Sequence, residues 1–239
     1  KRILERPIEN LLNTPEIDFP FALIWANENW TRTWDGFDQS VLLEQQYREE
    51  DDDRFLADLA RHFKDPRYIR VGGRPLLIIY RPGGIPNSKE TIARWRKKFD
   101  DEHGLSPLIF MCQGFNDIDP RDHGLDGALE FPPHKVAQGL PPRNKYLQIL
   151  DSQFSGHVMD YDSVVSRSTS EEPPPYPLIK AAAPSWDNEA RRPGRGMALH
   201  GSTPQKYENW LRKLVQFART NPTFDESFVG INAWNEWAE

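Results

Sequence analysis

Short apolar stretches recur along the chain and are its most regular feature. They cover residues 21–26, 75–80, 107–112, 127–131, 178–183 and 228–233. Strands that are buried on both faces, as in parallel sheets, have continuous apolar runs of this length. The pattern therefore predicts parallel β-strands at these positions.

Apolar residues with helical spacing lie between several of the stretches. The repeats cover residues 55–63, 92–99 and 207–218. Ser88 is a predicted N-cap, with Gly104 beyond the end of the same helix. Thr203 is a second predicted N-cap, with Pro204 at the first helical position. Strands alternating with helices predict right-handed βαβ units and an α/β fold.

Polar and aromatic residues follow the predicted strands at their C-terminal ends. A (β/α)₈ barrel builds its site from all its strand ends, whereas an open doubly wound sheet uses one switch point. We therefore predict a TIM-type (β/α)₈ barrel. The expected substrate-binding residues are Trp25, Asn27, Glu28, Asn29, Trp30, Arg32, Trp34, Asp35, Tyr80, Arg81, Gln113, Glu130, His134, Trp186, Asp187, Asn188, His200, Asn232, Trp234, Asn235 and Trp237.

The barrel is expected to be incomplete. The apolar stretches account for about strands three to eight, which leaves the first two strands and the C-terminal end missing. The chain begins at Lys1 without a Met and stops at Glu239 inside an aromatic and acidic run. We therefore expect residues 1–239 to form a single truncated catalytic barrel.

Composition and charge exclude several classes of protein. The chain is 38% hydrophobic and 28% charged, which is typical of a globular protein. Its net charge of −6 and dispersed basic residues argue against nucleic-acid binding. No apolar run approaches the roughly 20 residues of a membrane span. A single cysteine, Cys112, excludes an intrachain disulfide and a thiolate zinc site. We expect a cytoplasmic protein, and leave its oligomeric state open.

Glu236 and Glu239 are the candidate catalytic residues. Carboxylates at i and i+3 on a helical turn lie about 5–6 Å apart, close to the spacing in retaining glycosidases. The alternative is that Glu-x-x-Glu pairs are common on solvated helix faces. The neighbouring Trp234 and Trp237 favour catalysis, because indole faces stack on sugars.

Other polar groups have competing interpretations. The arginines at 191, 192 and 195 either bind an anionic sugar or belong to a solvated loop. The acidic residues 51–53 fit a helix N-terminus better than a metal motif. His134 and His200 lack the spacing of metal ligands, so hydrogen bonding is the expected role. Residues 166–177 are predicted to form a mobile or polyproline-like excursion.

Long motifs in the chain resemble a known family. They are FALIWANENWTRTWDG (21–36), RYIRVGGRPLLIIYRP (67–82), EFPPH (130–134), PSWDNEARR (184–192), HGST (200–203) and INAWNEWAE (231–239). These motifs resemble the WbsX-like proteins of bacterial polysaccharide and O-antigen clusters, a family described as glycosyltransferases. That family is similar in fold to glycoside hydrolase family 99, the endo-α-mannosidase barrels.

The resemblance implies a retaining enzyme of glycosyl transfer or hydrolysis in polysaccharide or lipopolysaccharide biosynthesis. Its substrate is an oligo- or polysaccharide. Glu236 is implied to deprotonate the sugar 2-hydroxyl, giving a 1,2-anhydro intermediate, and Glu239 to act as general acid and then base. The alternative from another class is a glycan-binding barrel without catalysis.

We predict that activity needs neither a metal nor a nucleotide cofactor. Carboxylate chemistry of the retaining type supplies its own acid and nucleophile. Turnover on a glycan substrate is expected to be unchanged after treatment with a chelator. Loss of turnover on chelation, with recovery on adding a divalent ion, contradicts the prediction that no metal is needed.

Overall fold

The computed structural model describes residues 5–32, 37–114 and 117–235. The strands are β1 (Leu23–Trp25), β2 (Trp30–Arg32), β3 (Phe37–Leu43), β4 (Arg70–Val71), β5 (Arg74–Ile79), β6 (Leu108–Gln113), β7 (Gly127–Glu130), β8 (His157–Asp160), β9 (Leu178–Ile179), β10 (Ala181–Ala182), β11 (Met197–His200) and β12 (Gly230–Ile231). The helices are α1 (Arg6–Leu12), α2 (Glu49–Phe63), α3 (Ser88–His103), α4 (His134–Ala137), α5 (Tyr161–Ser170) and α6 (Pro204–Thr220).

A mostly parallel sheet organises this mixed α/β fold. Its strands follow the order β1, β5, β6, β7 and β9, all parallel, and the short β4 pairs antiparallel with β5. Lys180 separates β9 from β10, which pairs parallel with β12. Every predicted apolar stretch contains a strand of this arrangement. Sequential parallel neighbours are what βαβ units produce.

Both faces of the sheet are buried, which explains the continuous apolar runs. Leu77, Ile79 and Ile109 pack with Leu56 of α2 and Phe99 of α3 on the helical face. The alternate residues of the same strands pack in a separate cluster on the opposite face. That cluster contains Leu76, Ile78, Leu108, Phe110 and Cys112, and Tyr80 and Phe131 pack against it.

A second apolar layer lies beyond β10. Trp186 packs there with Tyr161 and Val164 of α5 and with Trp210 and Leu214 of α6. The structure confirms the predicted α6, whose N-cap Thr203 accepts a hydrogen bond from the amide of Lys206. The two-stranded parallel pair of β8 and β11 was not predicted from the sequence.

Two local predictions were wrong. Ser88 does not cap α3, because Asn87, in the left-handed region at φ 45°, occupies the cap position and Ser88 is the first helical residue. Residues 166–170 are not an extended excursion, since they complete α5, whose Val164 and Ser168 are buried. Gly104, at φ 63°, ends α3 as predicted.

The strands at the two ends of the parallel arrangement are β1 and β12. Among the residues that the structure describes, no ladder joins them. Ile24 on β1 and Ile231 on β12 are 47% and 41% exposed, although both belong to apolar strands. An incomplete barrel remains a prediction.

No described helix is long and apolar enough to cross a membrane. Where in the cell the protein works remains a prediction.

We predict that Thr203→Ala lowers the free energy of unfolding by about 1 kcal/mol. The variant loses the hydroxyl that accepts from the Lys206 amide at the start of α6. Chemical denaturation measures the change. Thr203→Ser keeps the hydroxyl and serves as the control, and an equal loss in both variants contradicts the capping explanation.

Candidate functional site

Side chains from the ends of four parallel strands form a continuous chain of contacts. We name it the strand-end cluster, and it consists of Glu28, Tyr80, Arg81, Phe131, His134 and Trp186. The Glu28 carboxylate lies 2.7 Å from Arg81 Nε, and the Arg81 guanidinium lies 5.6 Å from the Tyr80 ring centroid. Ring contacts continue from Tyr80 to Phe131 at 5.4 Å, to His134 at 5.9 Å and to Trp186 at 5.0 Å. The cluster therefore connects the ends of β1, β5, β7 and β10.

A buried amide fixes the first part of the cluster. Asn27, 2% exposed, accepts from the Arg81 amide at 2.7 Å and donates to the Arg81 carbonyl at 2.7 Å. Asn27 Nδ2 also donates to the Tyr47 hydroxyl at 2.9 Å. Burial raises the pKa of Tyr47, so its hydroxyl stays protonated and donates to the Asn27 carbonyl at 2.7 Å. These bonds hold the segment after β1 against the segment after β5.

The imidazole of His134, between Phe131 and Trp186 in the cluster, is neutral. Burial, helped by the positive charges of Arg192 and Arg81, lowers the pKa of His134 to about 4. Its ring meets Trp186, 1% exposed, edge to face at an interplanar angle of 85°. A neutral imidazole offers both a hydrogen-bond donor and an acceptor.

The charged end of the cluster is accessible to solvent. The side chains of Arg81 and Glu28 are 41% and 43% exposed. Guanidinium and carboxylate groups bind hydroxyls through charge-assisted hydrogen bonds, and aromatic rings offer faces for sugar stacking. The arrangement therefore suits a polar ligand with several hydroxyl groups.

The end of β12 approaches the same loop. Asn232 Nδ2 donates to the Pro132 carbonyl at 2.5 Å, two residues before His134. Trp234, 67% exposed, and Asn235 follow on the surface. The remaining predicted residues Trp34, Asp35, Glu236, Trp237 and Glu239 lie outside the described residues.

Two predicted site residues are placed away from the cluster. The Trp25 ring packs against Phe55 of α2 at 4.5 Å and Trp95 of α3 at 5.6 Å, on the helical face of the sheet. Gln113, 1% exposed, donates at 2.7 Å to both the Ile118 carbonyl and the Tyr176 hydroxyl. In these positions the side chains of both residues stabilise the fold.

Glu130 also points away from the cluster and into a buried ion network. Its carboxylate lies 3.4 Å from Lys135 Nζ and accepts from the Ala181 amide at 3.3 Å. Burial raises the pKa of Glu130, against the opposing effect of Lys180 and Lys135. Burial disfavours the charged form of either group, so it lowers the pKa of Lys180, whose ammonium donates to the Ser168 carbonyl. The network anchors the start of the loop that carries Phe131 and His134.

The other predicted residues lie in two peripheral regions. Asn29, Trp30 and Arg32 belong to the region of the β2–β3 hairpin, where Asn29 accepts from the Gln45 amide at 2.8 Å and Trp30 is 49% exposed. Asn188 accepts from the Met197 amide at 2.7 Å, and the exposed Asp187 forms a bridge with Ala198 of β11. The exposed His200 ends β11.

Sequence reasoning missed Phe131 and Tyr47 as site residues. Phe131 follows Glu130, and the period of two along a strand places one of the pair on each face. That alternation was a usable signal for Phe131. Tyr47 comes from a loop without a pattern, and the sequence has no signal for its contact with Asn27.

Among the described residues, no group of three or more His, Cys, Asp or Glu side chains is arranged to hold a metal ion.

Comparison with known families and proteins finds sequence relatives over the whole chain. A family model described as Glycosyltransferase WbsX matches residues 1–239. Two strains of Xanthomonas campestris pv. campestris each have a relative, named uncharacterized protein WxcX, that is 40% identical over 241 residues. The match covers 100% of this chain and 34% of each relative, so the chain spans about a third of their length.

Solved structures share the fold at low sequence identity. A structure of the GH99 endo-alpha-mannosidase from Bacteroides thetaiotaomicron has a TM-score of 0.51 at 14% identity, covering 99% of this chain and 60% of that chain. The same enzyme in complex with bis-tris-propane has a TM-score of 0.50 at 15% identity, covering 97% of this chain and 62% of that chain.

We predict that the His134 imidazole titrates near pH 4, below the ordinary value of about 6.5. The unfolded chain binds the proton first, so the His134 contribution to stability is complete above about pH 6.5 and is lost as the pH falls toward 4. The free energy of unfolding is therefore expected to differ less between pH 5 and pH 7 in His134→Asn than in the parent protein, as chemical denaturation at the two pH values measures. The exposed His200→Asn is the control, and equal differences in all three proteins contradict the prediction.

Proposed function

Because the chain belongs to the glycosyltransferase WbsX family, we propose that it is the glycan-binding and catalytic part of a carbohydrate-active enzyme. The reaction is retaining glycosyl transfer or hydrolysis on a bacterial polysaccharide or O-antigen glycan, with Glu236 and Glu239 as the carboxylate pair. The observation that carries the proposal is the family match over residues 1–239.

The strand-end cluster supports a glycan as the ligand. The aromatic rings of Tyr80 and Phe131 lie between the exposed Arg81–Glu28 pair and the neutral His134, and the buried Trp186 packs behind His134. Sugars present apolar C–H faces and hydroxyl edges, and these groups match rings and charged hydrogen-bonding partners respectively.

Contacts at the end of β12 support the position of the carboxylates. Asn232 bonds to the loop that carries His134, and Glu236 follows only four residues later. Four residues span at most about 14 Å of extended chain. That reach is compatible with a carboxylate pair beside the strand-end cluster.

The proposed reaction has two steps. Glu236 takes the proton of the sugar 2-hydroxyl, whose oxygen attacks the anomeric carbon while Glu239 protonates the departing glycosidic oxygen. Water or an acceptor hydroxyl then opens the resulting 1,2-anhydro sugar, with Glu239 accepting its proton and Glu236 returning its own proton to the 2-oxygen. Water gives hydrolysis and a sugar hydroxyl gives transfer. Both outcomes retain the anomeric configuration.

The fold is proposed to be the larger part of a (β/α)₈ barrel. The parallel order from β1 to β12 supports this arrangement, as does the shared fold with the GH99 enzyme. In such barrels the strand ends converge on one catalytic face. The endo-α-mannosidase identity of that neighbour makes defined mannosides the first substrates to test.

We predict that Glu239→Gln in the full-length protein lowers turnover of an unactivated glycan by about 10²–10⁴-fold, because it removes the general acid. Glu236→Gln is expected to lose activity as well. Glu208→Gln changes a carboxylate that pairs with Arg212 on the exposed side of α6 and serves as the matched control. Product analysis on defined mannosides and glycan acceptors measures turnover, and calorimetry measures binding.

Unchanged turnover in Glu239→Gln excludes Glu239 from the mechanism. A parent protein that binds a glycan but neither cleaves nor extends it supports a glycan-binding barrel without catalysis.

A further inference from the structure

Three side chains outside the strand-end cluster form a contiguous array. Ser88 Oγ lies 2.9 Å from His123 Nδ1, and His123 Nε2 lies 3.4 Å from Asp117 Oδ1. We propose that Ser88, His123 and Asp117 form a second catalytic site that hydrolyses short-chain carboxylic esters, with Ser88 as the nucleophile.

The array has the order that an activated serine requires. An imidazole whose proton is on Nε2 keeps the Nδ1 lone pair free to accept the serine proton. The negative Asp117 carboxylate, 3.4 Å from His123 Nε2, favours that tautomer, in which His123 acts as a base toward Ser88 Oγ. The residues lie 35 and 29 positions from Ser88 along the chain, so only the fold unites them.

The carboxylate at the end of the array is held in place. Asp117 Oδ2 accepts from the Gly83 amide at 3.0 Å. A Cβ at position 83 would overlap this carboxylate, so the glycine permits the close approach. The side chains of His123 and Asp117 are 14% and 25% exposed, so the base and its carboxylate partner are largely shielded from water.

The start of α3 supplies donors for the oxyanion. Asn87, at φ 45°, turns the chain so that the helix begins at Ser88, and its side chain does not cap the helix. Within the described part of the chain, the amides of Ser88, Lys89 and Glu90 donate to no acceptor. Unpaired amides at a helix N-terminus stabilise negative charge, and here they adjoin the nucleophile itself.

The reaction balances with water as the only co-reactant. Ser88 Oγ bonds to the ester carbonyl carbon as its proton moves to His123 Nδ1, and the carbonyl electrons form the oxyanion. Collapse breaks the bond to the alkoxy oxygen, which leaves as the alcohol with the proton from His123. Water then attacks the acyl-serine in the same way and releases the carboxylic acid and free Ser88.

The test uses the full-length protein with p-nitrophenyl acetate and a fluorophosphonate probe. We expect ester hydrolysis that falls by about 10²–10⁴-fold in Ser88→Ala and His123→Ala, and less in Asp117→Asn. Ser106→Ala changes an exposed loop serine and is the control. Mass spectrometry is expected to find the phosphonate adduct on Ser88.

The probe experiment on the parent protein does not depend on how well any variant folds. An adduct on Ser88, with hydrolysis retained in Ser106→Ala, supports the proposal. Hydrolysis no faster than in Ser88→Ala, or an adduct that is absent or on another residue, overturns it and leaves Ser88 as a structural partner of His123. Either result is independent of the glycan activity assigned to Glu236 and Glu239.

Discussion

The parallel register of the central sheet is the constraint on which the site depends. Ile78 pairs with Ile24 on one side and with Phe110 on the other. Paired residues of neighbouring strands therefore point to the same face of the sheet. Because side chains alternate between faces, a slip of one residue would exchange the buried sets of both faces. The same register places Arg81 and Phe131 where their side chains reach Glu28 and His134. The strand register therefore sets both the packing of the sheet and the geometry of the site.

Alternation also decides which polar residue at a strand end faces a ligand. Phe131 continues the face of Leu129, whereas Glu130 turns to the helical side, where it is buried and pairs with the partly buried Lys135. Burying charges costs free energy, and mutual attraction offsets that cost only when the groups are paired. The hydrogen bond that Glu130 accepts from the Ala181 amide links the β7 end to β10. These contacts of Glu130 stabilise the loop that carries His134, but Glu130 contributes no group to the strand-end cluster.

The strand ends also carry two chemically different groups of side chains. The strand-end cluster combines aromatic rings with one ion pair, which suits recognition of a sugar. The Ser88–His123–Asp117 array combines a hydroxyl, a base and a carboxylate, which suits attack on a carbonyl. Gly83 connects them, because it follows Arg81 by two residues and its amide holds Asp117. A parallel sheet accommodates both, since each strand ends in a loop that varies without disturbing the core.

The sequence by itself determined the strands of the parallel arrangement from β1 to β12, the helices α2, α3 and α6, the family and most polar positions at those strand ends. Those features depend on local pattern, since an apolar run such as 107–112 or a cap such as Thr203 is defined by adjacent residues. Tertiary structure decided which of the polar residues meet. Trp25 and Glu130 turn to the helical face, Tyr47 joins Asn27 from a patternless loop, and Ser88 bonds to His123 instead of capping its helix. Contacts between residues far apart in sequence depend on strand register and loop path, and neither is encoded by neighbouring residues.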